Sequence, residues 1–186
     1  MHSQLEDYHS GFADLKDEAT ALVAGVDSDT MQAQPSPERW SAVQCFDHLN
    51  TAGRLLLRSM EKEIQRGRDE GPFGDPPFEY GFVSRWFVRS MMPSSGWTFS
   101  APSAYGPNAP TVLSSGGTVD EFLGLQDRFM ECVEAADGLD LRRLRLPSPA
   151  VSLLRISLGA WFEATLAHEQ RHLEQARRVP DTVRSS

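Results

Sequence analysis

Apolar residues recur at alternating spacings of three and four along much of this 186-residue chain. That spacing is typical of α-helices with one buried face, and four segments show it. The first runs from Leu5 to Leu22 and ends before residues 27–37, which hold two prolines. No segment alternates with a period of two over the length of a strand. The sequence therefore predicts an all-α protein, most simply a four-helix bundle.

The second helix has clear start and stop signals. Ser41 and Gln44 have the spacing of a capping box, and Trp40 just before them is a candidate hydrophobic staple. Gly67 and Gly71 mark the end of the segment. We therefore expect a long helix that begins directly after Ser41.

Similar signals bound the last two helices. Thr118 and Glu121 match a second capping box, and Gly138 suits the C-cap of that third helix. The fourth helix is expected over residues 157–179, because Pro180 follows. We expect residues 1–180 to form a single domain, with residues 181–186 as a tail.

A long connection, residues 71–117, joins helices 2 and 3 and is rich in proline, glycine and aromatic residues. A short helix is predicted within it, over Ser84 to Met92. A connection of this length in a compact domain is usually functional, so we expect it to pack across the mouth of the bundle. Its aromatic residues are Phe73, Phe78, Tyr80, Phe82, Trp97, Phe99 and Tyr105.

Composition narrows the function classes. The formal net charge of −8 disfavours a phosphate backbone or an anionic membrane as partner, since both attract clustered basic residues. No apolar run approaches the roughly 20 residues that span a bilayer, and residues 1–8 do not resemble a signal peptide. Cys45 and Cys132 belong to no CxxC pair, so we interpret them as reduced thiols of a cytoplasmic protein.

Three histidines form the candidate site. His168 and His172 are four residues apart on the fourth helix, so their imidazoles share one face and could hold a metal ion together. That pair alone is as easily coincidence as a ligand pair. His48 lies beside the apolar stripe of the second helix, and alone it would be a core histidine. Together, three inward-leaning imidazoles indicate a metal site with an open fourth position, which is a catalytic geometry.

Residues 168–172 also match the HExxH motif, in which the glutamate is the general base of zinc proteases. The context argues against a protease. Only fourteen residues follow His172 and none is a histidine, and no strand pattern is present to hold a peptide. Glu169 is therefore a candidate catalytic residue of some other reaction, or else an exposed helix acid paired with nearby arginines.

These residues resemble the DinB-like (DinB/YfiT) metalloprotein superfamily. The resemblance depends on a Trp-Ser entry to the second helix, a histidine seven residues after that serine, and a terminal HxxxH followed by glutamine. The aromatic connection between helices 2 and 3 adds to it. The matching residues are Trp40, Ser41, His48, His168, His172 and Gln175.

The resemblance implies a four-helix bundle with two crossing connections, often dimeric. It implies a zinc or nickel ion on His48, His168 and His172. Characterised relatives include S-transferases that use bacillithiol, glutathione or mycothiol, and a mycothiol-dependent maleylpyruvate isomerase. We therefore expect a metal-dependent transferase that joins a low-molecular-weight thiol to a small electrophilic substrate.

Three alternatives remain open from the sequence. The same site could activate water and make the protein a hydrolase. The bundle could instead be a non-catalytic metal-binding module of a stress response, or could bind no metal at all. Cys45, one turn from His48, could lie near the ion, although a small buried hydrophobic residue is the simpler interpretation.

Overall fold

The computed structural model describes residues 1–93, 106–148 and 154–184 of the chain. Within these ranges it contains six α-helices and one two-stranded antiparallel sheet, so the prediction of a mostly helical protein is confirmed. The elements are α1 (Ser3–Val23), α2 (Ser28–Gln32), α3 (Ala42–Glu70), α4 (Phe82–Met91), α5 (Ser115–Ala135), β1 (Arg145–Pro147), β2 (Arg155–Ser157) and α6 (Leu158–Arg184).

The four long helices pack side by side in a closed cycle. α1 lies against α5 and α6, and α3 lies against the same two helices. Their apolar stripes meet in the middle, where the rings of Phe12 and Phe129 stack with centroids 4.9 Å apart. All four helices contribute fully buried aromatic side chains to this core. They are Phe12, Phe46, Phe122, Phe129 and Phe162.

α1 and α6 run in the same direction. Near the start of both helices, the hydroxyl of Tyr8 donates to Oε1 of Glu163 over 3.0 Å. Near their ends, Arg177 pairs with Glu18. Because the two contacts occur in the same order along both helices, α1 and α6 are parallel neighbours.

α3 runs against α6. Near the start of α3, Nε2 of His48 lies 3.2 Å from Nε2 of His168, near the middle of α6. Near the end of α3, Gly67 lies against Leu144, whose carbonyl oxygen accepts a hydrogen bond from Leu158 at the start of α6. The first turns of α3 therefore lie beside the middle of α6 and the end of α3 lies beside the start of α6, so the two helices are antiparallel.

α5 begins one turn earlier than its sequence suggests. The N-cap is Ser114, whose hydroxyl accepts a hydrogen bond from the backbone N–H of Gly117. The expected start at Thr118 is wrong, and Glu121 pairs with Arg54 on α3. The two glycines of the first turn have low helix propensity, which hid the true start.

α6 continues beyond the proline that was expected to end it. Pro180 lies inside the helix, which extends to Arg184, so the expected end at Val179 is wrong. A proline breaks a helix by removing its own N–H donor and by crowding the preceding turn. Here that loss falls in the last two turns. The proposed tail of residues 181–186 stays a prediction.

Two further elements were not expected. β1 and β2 pair over three residues each, with buried Leu146 opposite buried Ile156. Strands this short carry too few positions for a period-two signal. α2 lies within the predicted break, where the carboxylate of Asp27 caps it by accepting from the N–H of Thr30 over 2.8 Å.

The connection between α3 and α5 is partly packed on the helices. α4 begins at Phe82, two residues before the predicted start, and lies against α6 and β2. Phe78 and Tyr80 are buried, whereas Phe73 and Phe82 are exposed. The remaining predicted aromatic contacts lie outside the described residues, at Trp97, Phe99 and Tyr105.

Among the described helices, none has an apolar stretch long enough to cross a bilayer.

Candidate metal centre

His48, His168 and His172 lie together between α3 and α6. One ring nitrogen of each falls within 4.8 Å of a ring nitrogen of both others. The ring centroid of His172 lies 4.7 Å from the ring centroid of His48 and 4.7 Å from that of His168. The structure therefore brings together all three histidines that the sequence singled out.

The spacing of these nitrogens suits a tetrahedral ion. Two nitrogen ligands at about 2.0–2.1 Å from such an ion lie roughly 3.3 Å from each other. The Nε2 atoms of His48 and His168 are 3.2 Å apart. The donor set is all imidazole, which zinc, nickel and copper accept. The three side chains could therefore hold a divalent metal ion and leave a coordination position open.

His168 and His172 are in the protonation state that a metal requires. Burial lowers the pKa of His168 well below its usual range, and the neighbouring His172 and His48 add to this effect. Burial also lowers the pKa of His172 to about 3, with a further contribution from His48. Both rings are thus neutral at pH 7, and their lone pairs are available to an ion.

The start of α3 places His48. The hydroxyl of Ser41 accepts from the N–H of Gln44 over 3.3 Å, and the side chain of Gln44 accepts from the N–H of Ser41 over 3.0 Å. The predicted capping box is therefore confirmed. It positions Trp40 so that its ring lies 5.0 Å from that of His48 and 5.7 Å from that of His172.

Gln175 contacts the cluster from the next turn of α6. Its Oε1 lies 3.1 Å from Nδ1 of His172. From the sequence, Gln175 was noted only as part of the motif that carries the family resemblance. The one sequence signal for its role is its spacing of three residues from His172. A partner on the second ring nitrogen is a common feature of histidines that bind metals.

Glu169 is buried in the helical core and is not among the grouped ligand atoms. Only 2% of the residue is exposed, and its carboxyl group lies near the side chain of Gln126 on α5. Its second oxygen, Oε2, has no partner among the described residues. Burial raises the pKa of Glu169 to about 8. The alternative of an exposed acid paired with arginine is therefore wrong.

A second polar contact near the site could not have been found from the sequence. The carboxylate of Asp47 accepts from the backbone N–H of Asn108 over 2.8 Å and from its side-chain amide over 3.0 Å. The side chain of Gln44 donates to the carbonyl oxygen of Asn108 over 3.0 Å. The residues before α5 are thus fastened to the first turns of α3, beside His48.

Cys45 is not among the grouped ligand atoms. It is 1% exposed, and burial raises the pKa of its thiol to about 12. Cys132 is also buried, and its pKa is likewise raised to about 12, chiefly by burial. A thiol with so high a pKa is a poor metal ligand and a poor nucleophile. Both residues fit the role of small apolar core residues.

The fold and the site define a helical protein with a three-histidine cluster that could hold a metal ion. The family model of the DinB superfamily matches residues 12–176, a range that includes all three histidines. The chain belongs to the DinB superfamily. Comparison with curated proteins gave no match, and comparison with solved structures gave none either.

Proposed function

We propose that this protein is a four-helix-bundle enzyme that uses a divalent metal ion, zinc or nickel, to transfer a low-molecular-weight thiol to a small electrophilic molecule. The observation that carries the proposal is the convergence of His48, His168 and His172 within 4.8 Å. The closed cycle of long helices supports the bundle. A bound ion at such a site would lower the pKa of a thiol that enters the open position.

The residues in and around the cluster fit separate roles in binding the ion and in binding the substrate. His48, His168 and His172 would hold the ion through uncharged nitrogens. Trp40 provides an aromatic surface beside two of them. The contacts of Asn108 with α3 would keep the residues before α5 close to the bound substrate.

A transferase is favoured over a hydrolase by the position of Glu169. Hydrolysis through the HExxH pattern would need this carboxylate as a general base beside the attacking water. Its carboxyl group is instead buried in the core near Gln126 of α5. We therefore propose that Glu169 supports catalysis by fixing the turn of α6 that carries His168 and His172.

Elemental analysis of untagged protein tests the metal site. We expect about one equivalent of zinc or nickel in the wild type and almost none in His48→Ala, since two imidazoles bind far more weakly than three. His9→Ala is the matched control, because His9 lies on α1 and pairs with Glu134. A wild type that stays free of metal after incubation with both ions would refute the site.

His172→Ala separates a catalytic ion from a structural one. The core has its own apolar side chains, so we expect this variant to lose the ion and keep its helical circular dichroism. An unfolded variant would show that the ion holds the fold together. In that case the protein is better described as a non-catalytic metal-binding module.

Turnover assays distinguish the reaction classes. Glutathione, mycothiol and bacillithiol would each be supplied with a panel of small electrophiles, and loss of the electrophile would be measured. A transferase requires both the thiol and the metal. Product that forms without any thiol would identify a hydrolase.

We further propose a cytoplasmic protein that can form a homodimer and binds neither nucleic acid nor membranes.

A further inference from the structure

The contact between Gln175 and His172 determines which nitrogen of that histidine is free. Oε1 of Gln175 is a carbonyl oxygen and can only accept a hydrogen bond, and it lies 3.1 Å from Nδ1 of His172. Nδ1 must therefore carry the ring hydrogen. A neutral imidazole has only one such hydrogen, so Nε2 has an unshared electron pair.

The ring of His172 is also held in place from its face. Trp40 stacks on it at 23° between the ring planes, with the centroids 5.7 Å apart. Both neighbours restrict rotation of the ring, one through a hydrogen bond and one through packing. With Nδ1 bonded to Gln175, Nε2 is the nitrogen left to bind an ion together with His48 and His168.

His48 and His168 lie close enough to contact each other through their ring nitrogens. The Nε2 atoms of His48 and His168 are 3.2 Å apart, within hydrogen-bond distance of each other. For that bond to exist, one of the two nitrogens must carry a hydrogen, which has to move to Nδ1 before both rings can bind an ion. In His172, by contrast, the hydrogen bond to Gln175 already leaves Nε2 with an unshared electron pair.

We propose that Gln175 is a positioning residue that holds His172 in the tautomer with hydrogen on Nδ1 and so presents Nε2 to the metal ion. This inference rests on the proposed metal-binding function. Loss of such a hydrogen-bond partner typically weakens metal affinity by about 10- to 100-fold. Gln175 would thus contribute to affinity without touching the ion.

Nitrogen-15 NMR of the histidine rings tests the tautomer directly in metal-free protein. We expect His172 in the wild type to show hydrogen on Nδ1. Gln175→Ala should give a mixture of tautomers, and Gln175→Glu should restore the wild-type pattern because a carboxylate also accepts. Hydrogen on Nε2 of His172 in the wild type would overturn the inference.

Zinc affinity, measured by competition with a chromophoric chelator, tests the consequence. We expect Gln175→Ala to bind zinc about 10- to 100-fold more weakly than the wild type and Gln175→Glu to bind at least as tightly. Gln170→Ala is the control, since Gln170 lies on the same helix and contacts Glu18. It should bind zinc like the wild type.

The outcomes separate this inference from the proposed function. A wild type that binds zinc while Gln175→Ala keeps full affinity overturns the inference alone. A wild type that binds no zinc overturns the metal-binding function as well, whatever tautomer His172 adopts. Equal losses in Gln175→Ala and Gln170→Ala would mean that the effect is a general one on α6, and would also overturn the role of Gln175.

Discussion

The hydroxyl group of Tyr80 fills the space beside Gly159 where any larger residue would place its Cβ atom. That hydroxyl lies 3.0 Å from the hydroxyl of Tyr8, which in turn donates to Glu163. Gly159 thus allows the residues before α4 to lie against the first turn of α6. The contact joins α1, α6 and the start of the long connection.

Gly159→Ala should destabilise the fold by about 1 to 3 kcal/mol, because the added methyl group forces Tyr80 out of its hydrogen bond with Tyr8. The measurement is urea unfolding followed by circular dichroism. Gly124→Ala is a matched control, since nothing lies within 4 Å of a Cβ there. That variant should gain about 0.5 to 1 kcal/mol from better helix propensity. A neutral result at Gly159 would contradict the packing described here.

Trp161→Ala should cost about 3 to 5 kcal/mol, because Trp161 is buried and its ring meets Phe87 edge to face at 4.9 Å. The sequence predicted this inward face of the last helix, and the structure confirms it. The control is Trp86→Ala, since Trp86 is 45% exposed and its loss should cost much less. A loss below about 1 kcal/mol at Trp161 would contradict the orientation of α6.

Cys45 and Cys132 should not react with a thiol reagent at pH 8 in the native protein. Both are buried, and burial raises the pKa of each thiol to about 12, so almost no thiolate is present. In denaturant both should react at once. Cys45→Ala should keep the metal content of the wild type. Loss of the ion in that variant would make Cys45 part of the site.

Glu169 should make the protein less stable as the pH rises. Its pKa is about 8 when folded and 4.5 in its ordinary state, so between these values the unfolded chain releases a proton that the folded chain keeps. The contribution of the neutral carboxyl group to the free energy of unfolding is therefore fully present below about pH 4.5. It is lost progressively up to about pH 8.

Glu169→Gln should remove this dependence, because an amide stays uncharged at every pH. Between pH 5 and 8 the variant should gain roughly 3 kcal/mol relative to the wild type. Urea midpoints of both proteins, measured with a chelator present, give the difference. The contributions of all other groups are shared by both proteins and cancel in this difference. A constant difference across this range would show that Glu169 ionises normally.

The helices could be predicted from the sequence because burial imposes its period on apolar residues. Leu5 and Phe12 both face the core, as the spacing of three and four requires. The helix ends were harder to predict, because several residues near each end could act as the cap. Ser114 and Thr118 both carry a suitable hydroxyl group, but Ser114 is the cap and Thr118 lies inside the helix, where its N–H donates to the carbonyl oxygen of Ser114.

The histidine cluster could be predicted because each side chain lies on a definable helix face. The surroundings of the cluster could not. The direction of Glu169 depends on how α6 is rotated against α5, which the HExxH pattern does not specify. The bond between Asp47 and Asn108 joins positions 61 residues apart. No local pattern in the sequence reports a contact over such a separation.

His48 and His168 are 120 positions apart in the chain, although their Nε2 atoms are 3.2 Å apart. An ion bound to both would act as a cross-link that closes a long loop, and unfolding would have to release it. The melting temperature would then rise with the concentration of free metal and fall when a chelator is added. The lifetime of the folded protein in a cell would depend on the supply of metal as well as on the packing of its core.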